Sequence, residues 1–141
     1  MAGVVGGVLD ERVAGIAAED GDANVLERGE FDAVLSLYVG HPFVPGNMAE
    51  RRFTWAGHQL PDADDLDTCV DWVLGHWAYA GRRTLVRDAT GLNRPSLIAG
   101  LAMLRSDRGY SYHDVVTDIR LARSSYALSN PRYLAVLRQA A

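Results

Sequence analysis

The stretch LVRDATGLNRPS, residues 85–96, decides the fold of this 141-residue chain. Its apolar start predicts a short strand at Thr84–Arg87. A loop with a central glycine, Gly91, follows this strand, and Pro95 is typical of the first turn of a helix. Such a unit presents backbone N–H groups and the positive end of a helix dipole to an anion. From these residues alone two interpretations stay open: an anion site closed by the Arg94 guanidinium, and a loop that serves only packing.

The chain as a whole reads as several short strands followed mostly by helices. The most apolar of them, FDAVLSLYV at residues 31–39, predicts a buried central strand. Ser111 and Asp114 have the spacing of a helix capping box. Further strands are predicted at Val4–Leu9 and Arg52–Trp55, and helices at Asp10–Ala18, from Pro61 to Gly81, from Arg94, from Ser111 and from Asn130. The pattern predicts an α/β domain with helices packed on a central sheet.

Composition and charge indicate one ordinary globular domain over residues 1–141, since 48% of the residues are hydrophobic and 23% are charged. The net charge of −4 argues against nucleic-acid binding, which favours basic patches. No apolar run reaches the roughly 20 residues of a membrane span, so we expect no membrane association. The start lacks the basic and apolar regions of a signal peptide, and none is expected.

Two further compositional features bear on where the protein works. The single cysteine, Cys69, excludes an internal disulfide framework and favours a reducing compartment, so we expect the protein in the cytoplasm. All 14 basic residues are arginine, and alanine is abundant. This bias is typical of chains encoded by GC-rich genomes and favours a bacterial or phage source.

The spacing within residues 88–94 resembles the active-site loop of the cysteine-dependent tyrosine and dual-specificity phosphatases. The signature of that family is His-Cys-x-x-Gly-x-x-Arg followed by Ser or Thr. Asp88, Gly91 and Arg94 have the same separations, with Arg87 in place of the histidine and Asp88 in place of the cysteine. The order of the surrounding strands and helices is also similar, over nearly the whole chain.

This resemblance implies the fold of a small dual-specificity phosphatase, with a central, mostly parallel sheet flanked by helices. It implies catalytic positions at Asp88 and Arg94, and it implies neither a metal nor any other cofactor. The phosphate-binding positions that it implies are Ala89, Thr90, Gly91, Leu92, Asn93 and Arg94.

Three positions depart from the pattern of that family. Asp88 offers a carboxylate, which is a weaker nucleophile toward a phosphate monoester than a thiolate and adds negative charge where the substrate brings its own. Pro95 stands where the family has a hydroxyl residue. The general acid of the family aligns with Gly57. Asp62 and Asp64 lie nearby and are the candidates for that role, although they also fit the acidic first turn of a helix.

These departures favour a phosphatase-like protein without turnover, a pseudophosphatase, in which Asp88 fills its own loop and pairs with Arg94. Such a domain is expected to act as a binding or regulatory module for a protein partner, a phosphorylated protein or a small phosphorylated ligand. Two alternatives stay open: an active tyrosine or dual-specificity phosphatase in which Asp88 replaces the natural cysteine, and a hydrolase in which Asp88 forms an acyl-phosphate.

Other residues that could carry chemistry are predicted to be structural. Cys69 lies on the apolar face of a predicted helix and is expected in the core. No metal-binding spacing connects the histidines His41, His58, His76 and His113. Five arginines are expected either to crowd one rim of the site or to form a solvated surface: Arg51, Arg52, Arg82, Arg83 and Arg87.

Overall fold

The computed structural model describes residues 16–19, 31–37, 48–56, 59–88 and 93–141. Among these residues one parallel sheet has the strand order β1-β4-β2-β3. The strands are β1 Ile16–Glu19, β2 Ala33–Ser36, β3 Ala49–Arg52 and β4 Thr84–Arg87. Every residue of the two central strands, β2 and β4, is buried, as a parallel sheet that is covered on both faces requires.

In the described part of the chain, three strands precede the first helix, and β4 lies between that helix and the other three. The helices in the described part of the chain are α1 Ala63–Leu74, α2 Arg94–Arg105, α3 Tyr112–Ala122 and α4 Pro131–Ala140. α1 continues into a π-helical segment, Gly75–Tyr79. Among the described residues, no helix combines the length and apolar character that a membrane crossing needs.

α2 is the central helix, because it contacts β1, β4 and the three other helices. Its residues 95–103 are all buried. Gly100 permits the close approach of two neighbours: a Cβ atom at this position would lie 2.9 Å from Leu137 Cδ2 and 3.1 Å from Val115 Cγ1. The elements around α2 therefore hold its first residue, Arg94, in a fixed position relative to the end of β4.

Most elements lie where the sequence predicts them. β4 has the predicted bounds, and the strand predicted at residues 31–39 contains the shorter β2. The Ser111–Asp114 capping box is present, with both reciprocal hydrogen bonds at 3.0 Å. Asn130 caps α4 by accepting a hydrogen bond from the Arg132 amide at 2.9 Å. The prediction of one domain over residues 1–141 includes residues outside the described ones and stays a prediction.

Two predicted elements are wrong in type or position. Ile16–Glu19 is strand β1, so the helix predicted at Asp10–Ala18 does not extend over its last residues, because pairing with β4 overrides the helical preference of alanine. β3 begins at Ala49, three residues before the predicted strand. It lies at an edge of the described sheet, where charged residues are common, so apolar alternation located it poorly. The strand predicted at Val4–Leu9 lies outside the described residues.

Candidate functional site

The strand ends at one edge of the sheet define the candidate site. The register pairs Ser36 with Arg87 and with Arg52, so the last residues of β4, β2 and β3 lie side by side. Asp88 follows β4 directly, and Arg94 is the first residue of α2. Ligands of open parallel sheets bind at this carboxyl edge, beside the amino ends of the helices that follow the strands.

Asp88 and Arg94 form an ion pair in which Asp88 is buried and Arg94 is partly buried. Arg94 Nε donates a hydrogen bond to Asp88 Oδ2 at 2.8 Å, and the exposed fractions of the two side chains are 13% for Arg94 and 2% for Asp88. The pairing that the sequence predicts is therefore confirmed. Ala89, Thr90, Gly91 and Leu92, the other predicted phosphate-binding positions between these two residues, lie outside the described residues.

The Arg94 guanidinium also joins two other parts of the chain. Its Nη1 donates to the Trp55 carbonyl oxygen at 2.6 Å and, more weakly, to the Leu37 carbonyl oxygen at 3.4 Å. Leu37 follows β2, and Trp55 lies three residues after β3. One side chain therefore connects the ends of β2 and β4 to the segment after β3.

Asn93 is held by the segment that precedes α4. Its Oδ1 accepts a hydrogen bond from the Asn130 amide at 3.1 Å, and its Nδ2 donates to Ser129 Oγ at 3.2 Å. Asn93 is the N-cap residue of α2 but makes no side-chain capping bond there. Its predicted role in phosphate binding stays a prediction, and its side-chain amide is engaged in anchoring the site to α4.

Arg87 lies behind the site and is fully buried, so the prediction that it belongs to an arginine rim or a solvated surface is wrong. Its Nε donates to Ser36 Oγ at 2.9 Å, and Ser36 Oγ donates to Glu50 Oε2 at 3.3 Å. Glu50 Oε2 also lies 2.9 Å from Arg52 Nε and 3.8 Å from Arg87 Nη2. This network compensates a buried charge that would otherwise be very costly.

Arg82 and Arg83 do not line the site either. They precede β4, and a four-residue strand separates them from the carboxyl edge by about 13 Å. Arg82 Nη1 donates to His76 Nδ1 at 3.0 Å, and the Arg83 guanidinium lies 5.5 Å from the centre of the Phe31 ring. These contacts lie at the opposite end of the strands, away from the candidate site.

The two residues after Arg94 are buried. Pro95 occupies the first turn of α2, where its missing N–H leaves no helical bond unmade. Ser96, one residue later, has a fully buried hydroxyl that makes no hydrogen bond with any described residue. The hydroxyl that the phosphatase signature places directly after the arginine is therefore absent, and the next one is inaccessible to solvent.

The general-acid candidates Asp62 and Asp64 both lie at the start of α1. Asp62 is the N-cap residue, Asp64 is in the first turn, and both side chains are exposed. Neither carboxylate pairs with Arg94 or with any other described side chain of the site. Their position explains them as helix-start residues, and their catalytic role stays a prediction. Gly57 and His58 lie outside the described residues.

Cys69 belongs to the core, as predicted. It is buried on α1, and burial raises the pKa of its thiol to about 11, with a smaller opposing effect of Arg51 and a smaller raising effect of Asp65. A thiol with this pKa is neutral at physiological pH and is a poor nucleophile. Within the described ranges, no group of three or more His, Cys, Asp or Glu residues is arranged to hold a metal ion.

Comparison with known proteins identifies the fold. No protein-family model and no curated protein sequence matches the chain. Solved structures do match: human DUSP28 has a TM-score of 0.74 at 19% identity, covering 94% of this chain and 92% of that one. DUSP15 has a TM-score of 0.74 at 18% identity, covering 92% and 85%.

A third match is the human tyrosine phosphatase-like serine/threonine/tyrosine-interacting protein, with a TM-score of 0.71 at 13% identity, covering 92% of each chain. All three share the α/β architecture described above. The chain therefore has the fold of the small dual-specificity and tyrosine phosphatases, which confirms the fold class that the sequence predicts.

Sequence reasoning missed several residues that build the site. Trp55 was assigned only to a predicted strand, and Ser36, Glu50 and Tyr133 were given no role beside the site. These residues lie far from residues 85–96 along the chain and meet them only through the sheet and through α4. A buried cation needs a partner, but the burial of Arg87 was not predicted, so no sequence signal pointed to Glu50.

Proposed function

We propose that this chain is a pseudophosphatase, a phosphatase-like domain that acts as a binding or regulatory module. Residues 88–94 then form a phosphate-binding-type loop in which the Asp88 carboxylate occupies the place of the ligand. The observation that carries this proposal is the largely buried pair between Asp88 Oδ2 and Arg94 Nε at 2.8 Å. An arginine at the amino end of a helix is suited to bind phosphate oxygens. Here Arg94 binds a carboxylate of the chain instead.

Electrostatics supports the absence of turnover. A phosphate monoester brings negative charge to a place where Asp88 already holds one. Two like charges about 4 Å apart repel by about 4 kcal/mol at an effective dielectric of about 20. This repulsion offsets most of the electrostatic attraction that Arg94 and the positive helix end exert on a phosphorylated ligand. A carboxylate also attacks a phosphate monoester less readily than the thiolate of the family.

The residues around Asp88 also support a binding role. Pro95 follows Arg94 in place of a hydroxyl residue, and the Ser96 hydroxyl is fully buried. Asp62 and Asp64 are explained by their place at the start of α1. The fold is compatible with a binding protein, because one solved structure with this fold is named a phosphatase-like interacting protein. The expected partner is a protein, or a phosphorylated protein or small ligand that is held weakly.

The proposal is tested by removing the Asp88 carboxylate and following anion-dependent thermal stability. The native chain is expected to show no response to inorganic phosphate, vanadate or a phosphotyrosine peptide. Asp88→Ala and the nearly isosteric Asp88→Asn are expected to gain stability, by about 2.7 kcal/mol when the free phosphate concentration is about one hundred times its Kd. Native chain that binds these anions as well as the variants do would refute the self-occupied loop.

Asp67→Ala is the matched control for this experiment. Asp67 pairs with Arg105 at the other end of α2, at 2.6 Å. The control therefore makes the same chemical change and also breaks an ion pair of α2, about 16 Å away from Arg94 along the helix. It is expected to respond to the anions no more than the native chain does.

A second function, an active phosphatase with Asp88 in place of the natural cysteine, is favoured by one observation. Arg94 still reaches residue 88 across the loop, as a catalytic arginine must. Asp88→Cys separates the two proposals when it is assayed on a phosphotyrosine peptide, with Asp88→Ser as the control for the nucleophile. Turnover by Asp88→Cys alone supports the phosphatase. A folded Asp88→Cys variant without turnover supports the pseudophosphatase.

A further inference from the structure

One buried hydroxyl, that of Tyr133, contacts both ends of the segment from Trp55 to Gln59. Tyr133 lies in the first turn of α4 and is fully buried. Its Oη accepts a hydrogen bond from Trp55 Nε1 at 2.9 Å and donates one to the Gln59 carbonyl oxygen at 2.7 Å. A residue of the last helix therefore holds both ends of this segment, which follows β3.

The same segment holds Arg94. The Trp55 carbonyl oxygen accepts from Arg94 Nη1 at 2.6 Å, while Arg94 Nε donates to Asp88 at 2.8 Å. A guanidinium group is planar and rigid, so bonds from Nη1 and from Nε fix the orientation of its whole fork. A continuous chain of contacts therefore runs from the Tyr133 hydroxyl through Trp55 to Arg94 and Asp88.

The protonation state of Tyr133 suits this arrangement. The hydroxyl acts as donor and acceptor at once, which requires the neutral phenol. Burial raises the pKa of Tyr133 above its usual value of 10.0, and a smaller opposing effect comes from the hydrogen bond of Trp55. The contact to Gln59 therefore persists throughout the physiological pH range.

We propose that Tyr133 is a positioning residue of the candidate site: through Trp55 it holds the Arg94 guanidinium in the orientation that receives an anion at residues 88–94. This inference rests on the proposed function, in which Arg94 receives the Asp88 carboxylate in place of a phosphate. The ring of Tyr133 also belongs to the core, so its packing and its hydroxyl have separate effects. Tyr133→Phe keeps the ring and removes the hydroxyl, and with it the hydrogen bonds to Trp55 and Gln59.

The first test measures the affinity for inorganic phosphate in the Asp88→Ala background by calorimetry. Adding Tyr133→Phe is expected to raise the phosphate Kd by about tenfold, the effect of one well-placed hydrogen bond. Tyr112→Phe is the matched control, because the Tyr112 hydroxyl accepts from Arg138 at 3.2 Å on an exposed surface. It is expected to leave the phosphate Kd unchanged. An unchanged Kd in Tyr133→Phe overturns the inference and leaves the proposed function intact.

The second test needs no added anion. In the otherwise native chain, the Arg94 Nε–H resonance reports by hydrogen exchange on the bond to Asp88. Tyr133→Phe is expected to accelerate this exchange by about tenfold, and Tyr112→Phe is expected to leave it unchanged. If Asp88→Ala binds no phosphate, the proposed function fails, and the exchange rate alone decides the inference. An exchange rate that Tyr133→Phe does not alter overturns it.

Discussion

The two ends of α2 carry ion pairs that are similar in length and different in surroundings. At the first residue, Arg94 pairs with Asp88 at 2.8 Å, and the side chains are 13% and 2% exposed. At the last residue, Arg105 pairs with Asp67 at 2.6 Å, and the side chains are 34% and 50% exposed. The shorter of the two pairs is therefore the more exposed one.

Burial, and not the length of the ion pair, therefore decides how much each pair contributes to stability. An exposed pair is screened by water and contributes little to stability. A buried pair costs much desolvation when it forms, and removing one partner leaves an uncompensated charge. Apolar residues are often equally stable in such a place, so stability alone does not account for the Asp88–Arg94 pair. The role proposed above, in which Asp88 occupies an anion site, accounts for it.

The largest expected effect is on the free energy of unfolding when each arginine is truncated. Arg94→Ala is expected to lose about 3–5 kcal/mol, because the buried Asp88 carboxylate loses the compensating charge of Arg94. Arg105→Ala is expected to lose less than about 1 kcal/mol. Chemical denaturation of both variants and the native chain measures this difference. Equal losses of unfolding free energy for the two variants would show that burial does not distinguish the two ion pairs.

A smaller effect is expected when the salt concentration is raised, and it also distinguishes the two ion pairs. The Debye length falls from about 10 Å at 0.1 M to about 3 Å at 1 M ionic strength, and exposed charges are screened most. The loss caused by Arg105→Ala is therefore expected to approach zero in 1 M salt, while the loss caused by Arg94→Ala persists. Denaturation curves at both salt concentrations provide the measurement. If salt reduces the loss of unfolding free energy equally for both variants, the Asp88–Arg94 pair is as exposed to solvent as the Asp67–Arg105 pair.

The smallest expected effect is a pH dependence of stability that is caused by His76, which lies away from both ends of α2. Burial and the neighbouring charge of Arg82 lower the pKa of His76 below 6.5 in the folded chain. The unfolded chain therefore takes up this proton first as the pH falls, so stability declines below about pH 6.5 until the folded pKa is passed. His76→Gln is expected to flatten this decline and to differ from the native chain by a constant amount above pH 7. Parallel declines in both chains would exclude His76 as the cause.

The part of the site that the sequence predicted is local. Asp88 and Arg94 lie on either side of one loop, and the strand before it and the helix after it have clear sequence signals. Their pairing followed from spacing, charge and a resemblance in a single segment. The capping box of α3 was predicted for the same reason, since its two residues are three positions apart.

The part that the sequence did not predict depends on tertiary contacts. Arg87 looked like a surface arginine, and its burial becomes intelligible only when strand register places Ser36 and Glu50 beside it. Trp55 and Tyr133 are 78 residues apart and meet through α4. No periodicity or motif connects such residues, so only the folded chain shows that they act together.

The most direct test of the central claim is an experimental structure of the native chain crystallised with inorganic phosphate. The Asp88 carboxylate is expected to stay paired with Arg94 with no phosphate bound at residues 88–94, while Asp88→Ala crystallised in the same way is expected to hold one there. A phosphate ordered among the loop amides of the native chain, with Asp88 turned away from Arg94, would show that Asp88 does not fill the loop.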